Sequence, residues 1–213
     1  MDFELNILKK LIGFIEENYI SITNEWNKIN VDKINLKKNC VYKIDSDGRI
    51  YVEINNYINF LNDNSIEFQM ELDEFKSKYN CNIRSRIKAQ NSVESKIQGY
   101  RKSQSHECGK TPINKCLNDL FGIRIIFNNP ITYEDISSFI EKEFDNKYKC
   151  IDSSKGTYKA THIYFKQDNY SFNWELQIWN SCDNDANIKS HKEYKQGYTT
   201  WEKENKEGGI TNV

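Results

Sequence analysis

Leu5, Leu8, Leu11, Ile12, Ile15 and Tyr19 recur at three- and four-residue steps, which predicts an amphipathic first helix with one buried stripe. Val41-Tyr-Lys-Ile and Arg49-Ile-Tyr-Val-Glu-Ile flank the polar Asp45-Ser-Asp-Gly, and this pattern predicts a β-hairpin with a short turn. Phe68, Leu72, Phe75 and Tyr79 share one side of a predicted helix from Ser65 to Tyr79. Asn91 followed by Glu94 has the spacing of a reciprocal helix cap, so the next helix is expected to start at Ser92. Leu120 to Phe127 reads as a buried strand, and Thr132 to Phe144 as a helix with Ile136, Phe139 and Ile140 inward.

Further on, Thr157 to Lys166 and Phe172 to Trp179 form a predicted hairpin around the polar Gln167-Asp-Asn-Tyr turn. On its second strand Phe172, Trp174, Leu176 and Ile178 face the core, while Asn173, Glu175 and Gln177 face the other way. A last helix presents His191, Tyr194, Tyr198 and Trp201 along one stripe. Strand, helix and two antiparallel strands, with helices at both ends, imply an α+β or α/β fold: a mixed β-sheet flanked by helices. The expected organisation is an N-terminal helical region with a β-hairpin over residues 1–80, packed on a second unit over 81–205, and a tail over 206–213.

With 213 residues the chain is long enough for a sizeable core. No apolar run approaches the ~20 residues that span a bilayer, and no signal peptide opens the sequence, so a cytoplasmic protein without membrane partners is expected. Six scattered cysteines without a C-x-x-C pair point to reduced thiols rather than to zinc or disulfides. The net charge of −1 argues against coating by nucleic acid. Charge is nevertheless uneven: from Ile83 to Lys110, Arg84, Arg86, Lys88, Lys96, Arg101, Lys102 and Lys110 stand against Glu94 and Glu107 alone. Such a local cationic field suits a phosphorylated ligand.

That basic stretch contains the densest chemistry in the chain, Arg84-Ser-Arg-Ile-Lys-Ala-Gln-Asn-Ser-Val-Glu-Ser-Lys. Arg86 and Lys88 share a face of an extended lead-in, and Ser92 and Lys96 share a helix face one turn apart. Free N–H groups at a helix start add affinity for anions. Asn118-Asp-Leu-Phe-Gly-Ile-Arg then brackets an apolar strand with Asp119 and Arg124. Downstream lie Gly156-Thr-Tyr-Lys-Ala-Thr-His-Ile-Tyr-Phe and Phe172-Asn-Trp-Glu-Leu-Gln-Ile-Trp.

These four segments, in this order from about Arg84 to Lys195, resemble the synthetase domain of the RelA/SpoT family, with its nucleotidyltransferase-like architecture. The resemblance implies an ATP-dependent, Mg²⁺-dependent pyrophosphokinase that moves the β,γ-pyrophosphate of ATP to a ribose 3′-hydroxyl. Similarity to the family implies that Arg86 and Arg124 sandwich the adenine, since guanidinium planes stack on π-faces. It further implies that Lys88, Ser92 and Lys96 hold the phosphates. Asp119 and Glu175 would bind Mg²⁺, a hard cation suited to carboxylates and phosphate oxygens. Glu175 could equally activate the 3′-hydroxyl. Tyr158 matches the family's acceptor-stacking aromatic, and Lys159, His162 and Gln177 are its companions on the acceptor side. His191 and Lys195 are assigned structural roles.

The acceptor implied first is GDP or GTP, giving (p)ppGpp. An alternative is a toxin that pyrophosphorylates the 3′-CCA end of tRNA and is neutralised by an antitoxin protein; a second is an inactive nucleotide-binding module. Trp179 and Asn180 replace the arginine and threonine common after Glu-x-Gln-Ile, and Ser153-Ser-Lys-Gly lacks a proline often seen there. Both departures touch the acceptor side. None of the three histidines precedes an aspartate, which argues against the family's hydrolase domain.

Overall fold

Why the first helix is so long follows from its stripe. In the computed structural model, which describes residues 2–44, 46–190 and 192–193, α1 spans Asp2–Ile29 and buries Ile7, Leu8, Leu11, Ile12, Ile15, Tyr19, Ile22 and Trp26. α2 (Gly48–Asn64) and α3 (Ile66–Tyr79) follow. The expected hairpin at 41–54 does not form. Val41–Lys43 is a single 3₁₀ turn, and Asp47 caps α2 by accepting the backbone N–H of Arg49. Apolar positions 50, 52 and 54 imitate strand alternation, but the longer series Ile50, Ile54, Tyr57, Ile58, Leu61 has helical spacing, and Val52 is left exposed.

A five-stranded sheet comes next: β1 (Asn82–Ile87), β2 (Phe121–Phe127), β3 (Lys149–Asp152), β4 (Thr161–Phe165) and β5 (Trp174–Asn180). Its order is β1-β2-β5-β4-β3. Only β2 and β5 are parallel; every other pairing is antiparallel, so the sheet is mixed. α4 (Gln90–Lys102) and the short α5 (Ile113–Cys116) connect β1 to β2, and α6 (Tyr133–Phe144) connects β2 to β3. Thr132 and Asp135 close a capping box at the start of α6. Helix α4 starts earlier than expected, at Gln90 after Ala89, and Glu94 is no cap: its carboxylate accepts a hydrogen bond from Tyr51 at 2.7 Å.

One apolar cluster joins the N-terminal helices to one face of this sheet. Tyr57 stacks on Phe172 at 4.5 Å and accepts the indole N–H of Trp174 at 3.0 Å, while Phe68 meets Trp174 edge-on. With that face covered by aromatic packing, the other face is left for polar chemistry. Among the described residues no helix is long and apolar enough to cross a membrane. Helical residues resume at 184, and the predicted stripe His191, Tyr194, Tyr198 and Trp201, like Lys195, lies outside the described residues.

Candidate active site

Strand register builds the site. Arg84 of β1, Arg124 of β2, Gln177 of β5 and His162 of β4 occupy one row across the sheet. Arg86, Gly122, Glu175 and Tyr164 occupy the next. Paired residues of neighbouring strands project to the same face, so eight positions from four strands define one polar surface opposite the aromatic core. At its β1–β2 end a cleft of about 210 Å³ is lined by Arg84, Ser85, Arg86, Gly122, Ile123, Arg124 and Gln177. Gly122 forms the floor, where an added Cβ would reach Arg86 Cγ at 4.0 Å.

Beside the cleft stands a buried ionic group. Lys88 Nζ donates to one oxygen of Asp119 at 2.6 Å and Lys96 Nζ to the other at 2.9 Å. All three side chains are at most 17 % exposed. Lys88 is placed by continuation of the ladder, its N–H bonding Leu120 O at 2.8 Å, and Lys96 by the second turn of α4. Burial works to raise the Asp119 pKa, but the charges and hydrogen bonds of Lys96 and Lys88 overcome it and hold the carboxyl well below its ordinary range. The two lysines move in opposite directions: burial lowers the Lys88 pKa, whereas the Asp119 charge outweighs burial at Lys96 and raises it. The ionised triad is the state supported by geometry, since both short contacts need a carboxylate.

A second network centres on Glu175, 4 % exposed. Its Oε1 accepts from Tyr164 Oη at 2.9 Å and pairs with His162 Nδ1 at 2.9 Å; its Oε2 accepts from Gln177 Nε2 at 2.7 Å. Burial would raise the Glu175 pKa, and repulsion from Asp119 adds to that, yet the His162 and Gln177 contacts prevail and lower it. Gln177 is oriented in turn by Arg124, whose Nε and Nη2 both donate to Gln177 Oε1, at 3.0 and 2.8 Å. Tyr158 Oη lies 3.0 Å from His162 Nε2 and accepts the Trp179 indole N–H at 3.3 Å. In neutral His162 the carboxylate at Nδ1 fixes the proton there, leaving Nε2 to accept from Tyr158.

Of the residues singled out from sequence, Lys88, Lys96 and Asp119 form one group, and Arg124, Tyr158, His162, Glu175 and Gln177 the other. Arg86 joins them through the cleft. Ser92 and Lys159 stand apart: Ser92 Oγ faces its neighbour Asn91 at 3.5 Å, and Lys159 is exposed while its backbone is held on both sides by the buried Asn187. Three residues escaped the sequence assignment, namely Arg84, Tyr164 and Trp179. Each shares strand parity with an assigned residue (Arg86, His162 and Gln177), which was the available signal. The two departures also acquire local reasons. Asn180 clamps the backbone of Ile131 in both directions, at 3.0 and 3.2 Å. Gly156 takes a positive φ of 60° between Lys155 and Tyr158, whose backbones pair across the turn.

The adenine-binding role that the family resemblance implies for Arg86 yields a first expectation. Arg86→Ala removes one of three guanidinium walls without touching either buried network, so on that role a non-hydrolysable ATP analogue should bind about 5- to 30-fold more weakly, with the melting temperature near wild type. Calorimetric titration checks it; unchanged affinity would remove that role from Arg86.

Residues 85–199, more than half of the chain, match the family model described as the region found in RelA / SpoT proteins. The chain belongs to that family. No curated protein matches it. Among solved structures it is similar to small alarmone synthetase 1 from Bacillus subtilis, at 18% identity over 68% of this chain and 81% of that one, TM-score 0.41. Small alarmone synthetase 2 from the same organism gives 16% identity over 68% and 81%, TM-score 0.42. The first enzyme bound to its product pppGpp gives 18% over 66% and 88%, TM-score 0.37. Family membership rests on the family match.

Proposed function

We propose that this protein is a pyrophosphokinase that transfers the β,γ-pyrophosphate of ATP to the ribose 3′-hydroxyl of GDP or GTP. The observation that carries this reading is a polar sheet face that holds a three-arginine cleft and the Glu175 network, with the Lys–Asp–Lys triad close enough for Asp119 to repel Glu175. In the reaction the acceptor 3′-oxygen forms a bond to Pβ, the bond from Pβ to the α,β-bridging oxygen breaks, AMP leaves with that oxygen, and the hydroxyl proton passes to solvent. Catalysis of phosphoryl transfer is mostly positioning and neutralisation of charge. Arg84, Arg86 and Arg124 hold the adenine end. Lys88 and Lys96 transfer their charge from Asp119 to the polyphosphate, and Asp119 is thereby released.

The donor set also suits a magnesium ion that arrives with the nucleotide. Among the described residues no three metal-binding side chains gather, but Asp119 and Glu175 are two hard oxygen donors, and Mg²⁺ completes such a shell with phosphate oxygens and water. Bound there, the ion would neutralise charge developing on the pyrophosphate. Either role, metal ligand or acceptor of the 3′-hydroxyl proton, uses the ionised carboxylate that the His162 and Gln177 contacts favour. Tyr158 would receive the acceptor base, with its hydroxyl held by His162 and Trp179.

Incubation with γ-labelled ATP and Mg²⁺, in parallel with GDP, GTP or deacylated tRNA, tests the reading. Label recovered on GDP or GTP supports it. Label on tRNA alone moves the acceptor to the polynucleotide end, and no transfer to any of the three overturns the proposal.

A further inference from the structure

Trp179 has the same strand parity as Glu175 and Gln177, so its side chain lies on the polar face of the sheet and not in the main core. It is 1 % exposed, packed with Ile126 and Ala160 in a small apolar cluster of its own. The Arg124 guanidinium carbon sits 3.5 Å from the centre of its ring. The Tyr158 ring meets it edge-on, 5.8 Å away with planes 84° apart, and its indole N–H bonds Tyr158 Oη. Arg124 lines the cleft and Trp179 does not.

Two constraints therefore determine how Arg124 presents itself. Gln177 engages the guanidinium in its own plane through two N–H groups, and the indole covers one flat face. A ring that stacks on Arg124 from the cleft must therefore take the face that the indole does not cover. The same indole holds the phenol of Tyr158 through a donor that has no other chemistry, since indole N–H donates and never accepts. Resting on the function proposed above, we propose that Trp179 is a positioning residue that orients Arg124 for the ATP purine and Tyr158 for the acceptor base, tying the donor and acceptor halves to one rigid side chain. A cation over an indole is held better than over a smaller ring, and a pre-oriented arginine loses less freedom when the purine stacks on it.

Two substitutions separate the two contacts. Trp179→Phe keeps a π-face under Arg124 and removes the N–H; Trp179→Leu removes both. Trp179→Phe is expected to bind a non-hydrolysable ATP analogue within about twofold of wild type and to raise the acceptor KM about fivefold. Trp179→Leu should weaken the ATP analogue about 5- to 20-fold and raise the acceptor KM as well, with kcat the least affected. A merely structural role would lower the active fraction and melting temperature without this split. Tyr158→Phe removes the same N–H···O bond from its other end, so the Trp179→Phe/Tyr158→Phe double variant should show an acceptor KM no higher than the worse single variant. That cycle carries the test if Trp179→Leu does not fold. An ATP-analogue affinity unchanged in Trp179→Leu, or an acceptor KM unchanged in Trp179→Phe, overturns the role of Trp179 alone. A wild-type protein that binds no ATP analogue overturns the reading on which it rests.

Discussion

Asp119→Asn should lower turnover by at least about 10²- to 10³-fold and, in the absence of nucleotide, also lower the melting temperature by roughly 6–12 °C. The activity loss follows from the proposed function, in which Asp119 would face the metal-bound polyphosphate. The stability loss follows from the geometry of the free protein. Lys88 and Lys96 each spend one short hydrogen bond on Asp119, and an amide leaves two buried ammonium groups without a counter-charge. Breaking a buried ion pair from one side costs about 3–5 kcal/mol, and the lower end applies here because the three side chains keep a little solvent contact. For a chain of this size about 1 kcal/mol moves the midpoint by roughly 2–4 °C. The sign with pH is also determined. Folding lowers the Asp119 pKa below its ordinary 3.8, so the stabilisation is complete above that pH and is lost on acidification below it. Thermal melts of both proteins from pH 7 down to pH 3 check this, with the gap between them narrowing at the acid end. Equal midpoints at neutral pH would mean the triad contributes nothing to the free protein.

Glu175→Gln is the second large effect, and it differs in kind. Turnover should again fall about 10²- to 10³-fold, but the damage to the fold is local. Three donors converge on the Glu175 carboxylate, from Tyr164, His162 and Gln177. A glutamine there offers one acceptor oxygen and turns an amide N–H₂ toward a neighbour that also donates. Gln177 cannot reverse its amide to compensate, because Arg124 holds its oxygen with two N–H groups. Lost charge-assisted bonds of this sort are worth about 1.5–3 kcal/mol, a drop of roughly 3–12 °C in the midpoint. Without Mg²⁺, ATP-analogue affinity should fall little, since Glu175 does not line the cleft proposed for the purine. Turnover and calorimetry on the same preparation separate the two; near wild-type turnover would exclude Glu175 from the reaction.

Short-range patterns explain why most of the frame could be read directly. The α1 stripe, the inward Ile136 and Ile140 of α6 and the alternating Trp174–Ile178 core positions are local periodicities, and they hold in the folded chain. Where two periodicities overlapped, at residues 49–54, the short window favoured a strand and the longer series from Ile50 to Leu61 the helix that forms. The Asn91–Glu94 spacing failed for another reason: Tyr51, far away in sequence, takes the Glu94 carboxylate that a local cap would have used.

Residue types and their order along the chain therefore determined the candidate chemistry, because four polar segments, each beside an apolar run, already carry arginines, lysines and two carboxylates of a nucleotide site. Their partners were decided by strand register. Parity can say that Glu175 and Gln177 share a face; only the parallel pairing of β5 with β2 brings Arg124 to Gln177, and only the antiparallel pairing with β4 brings Tyr164 and His162 to Glu175. Tertiary packing likewise put two lysines on Asp119, making a presumed metal ligand a structural anchor of the free protein, and slid Trp179 beneath Arg124. Those contacts join residues dozens of positions apart, and they depend on strand order and helix placement, quantities that no periodicity along a single segment encodes.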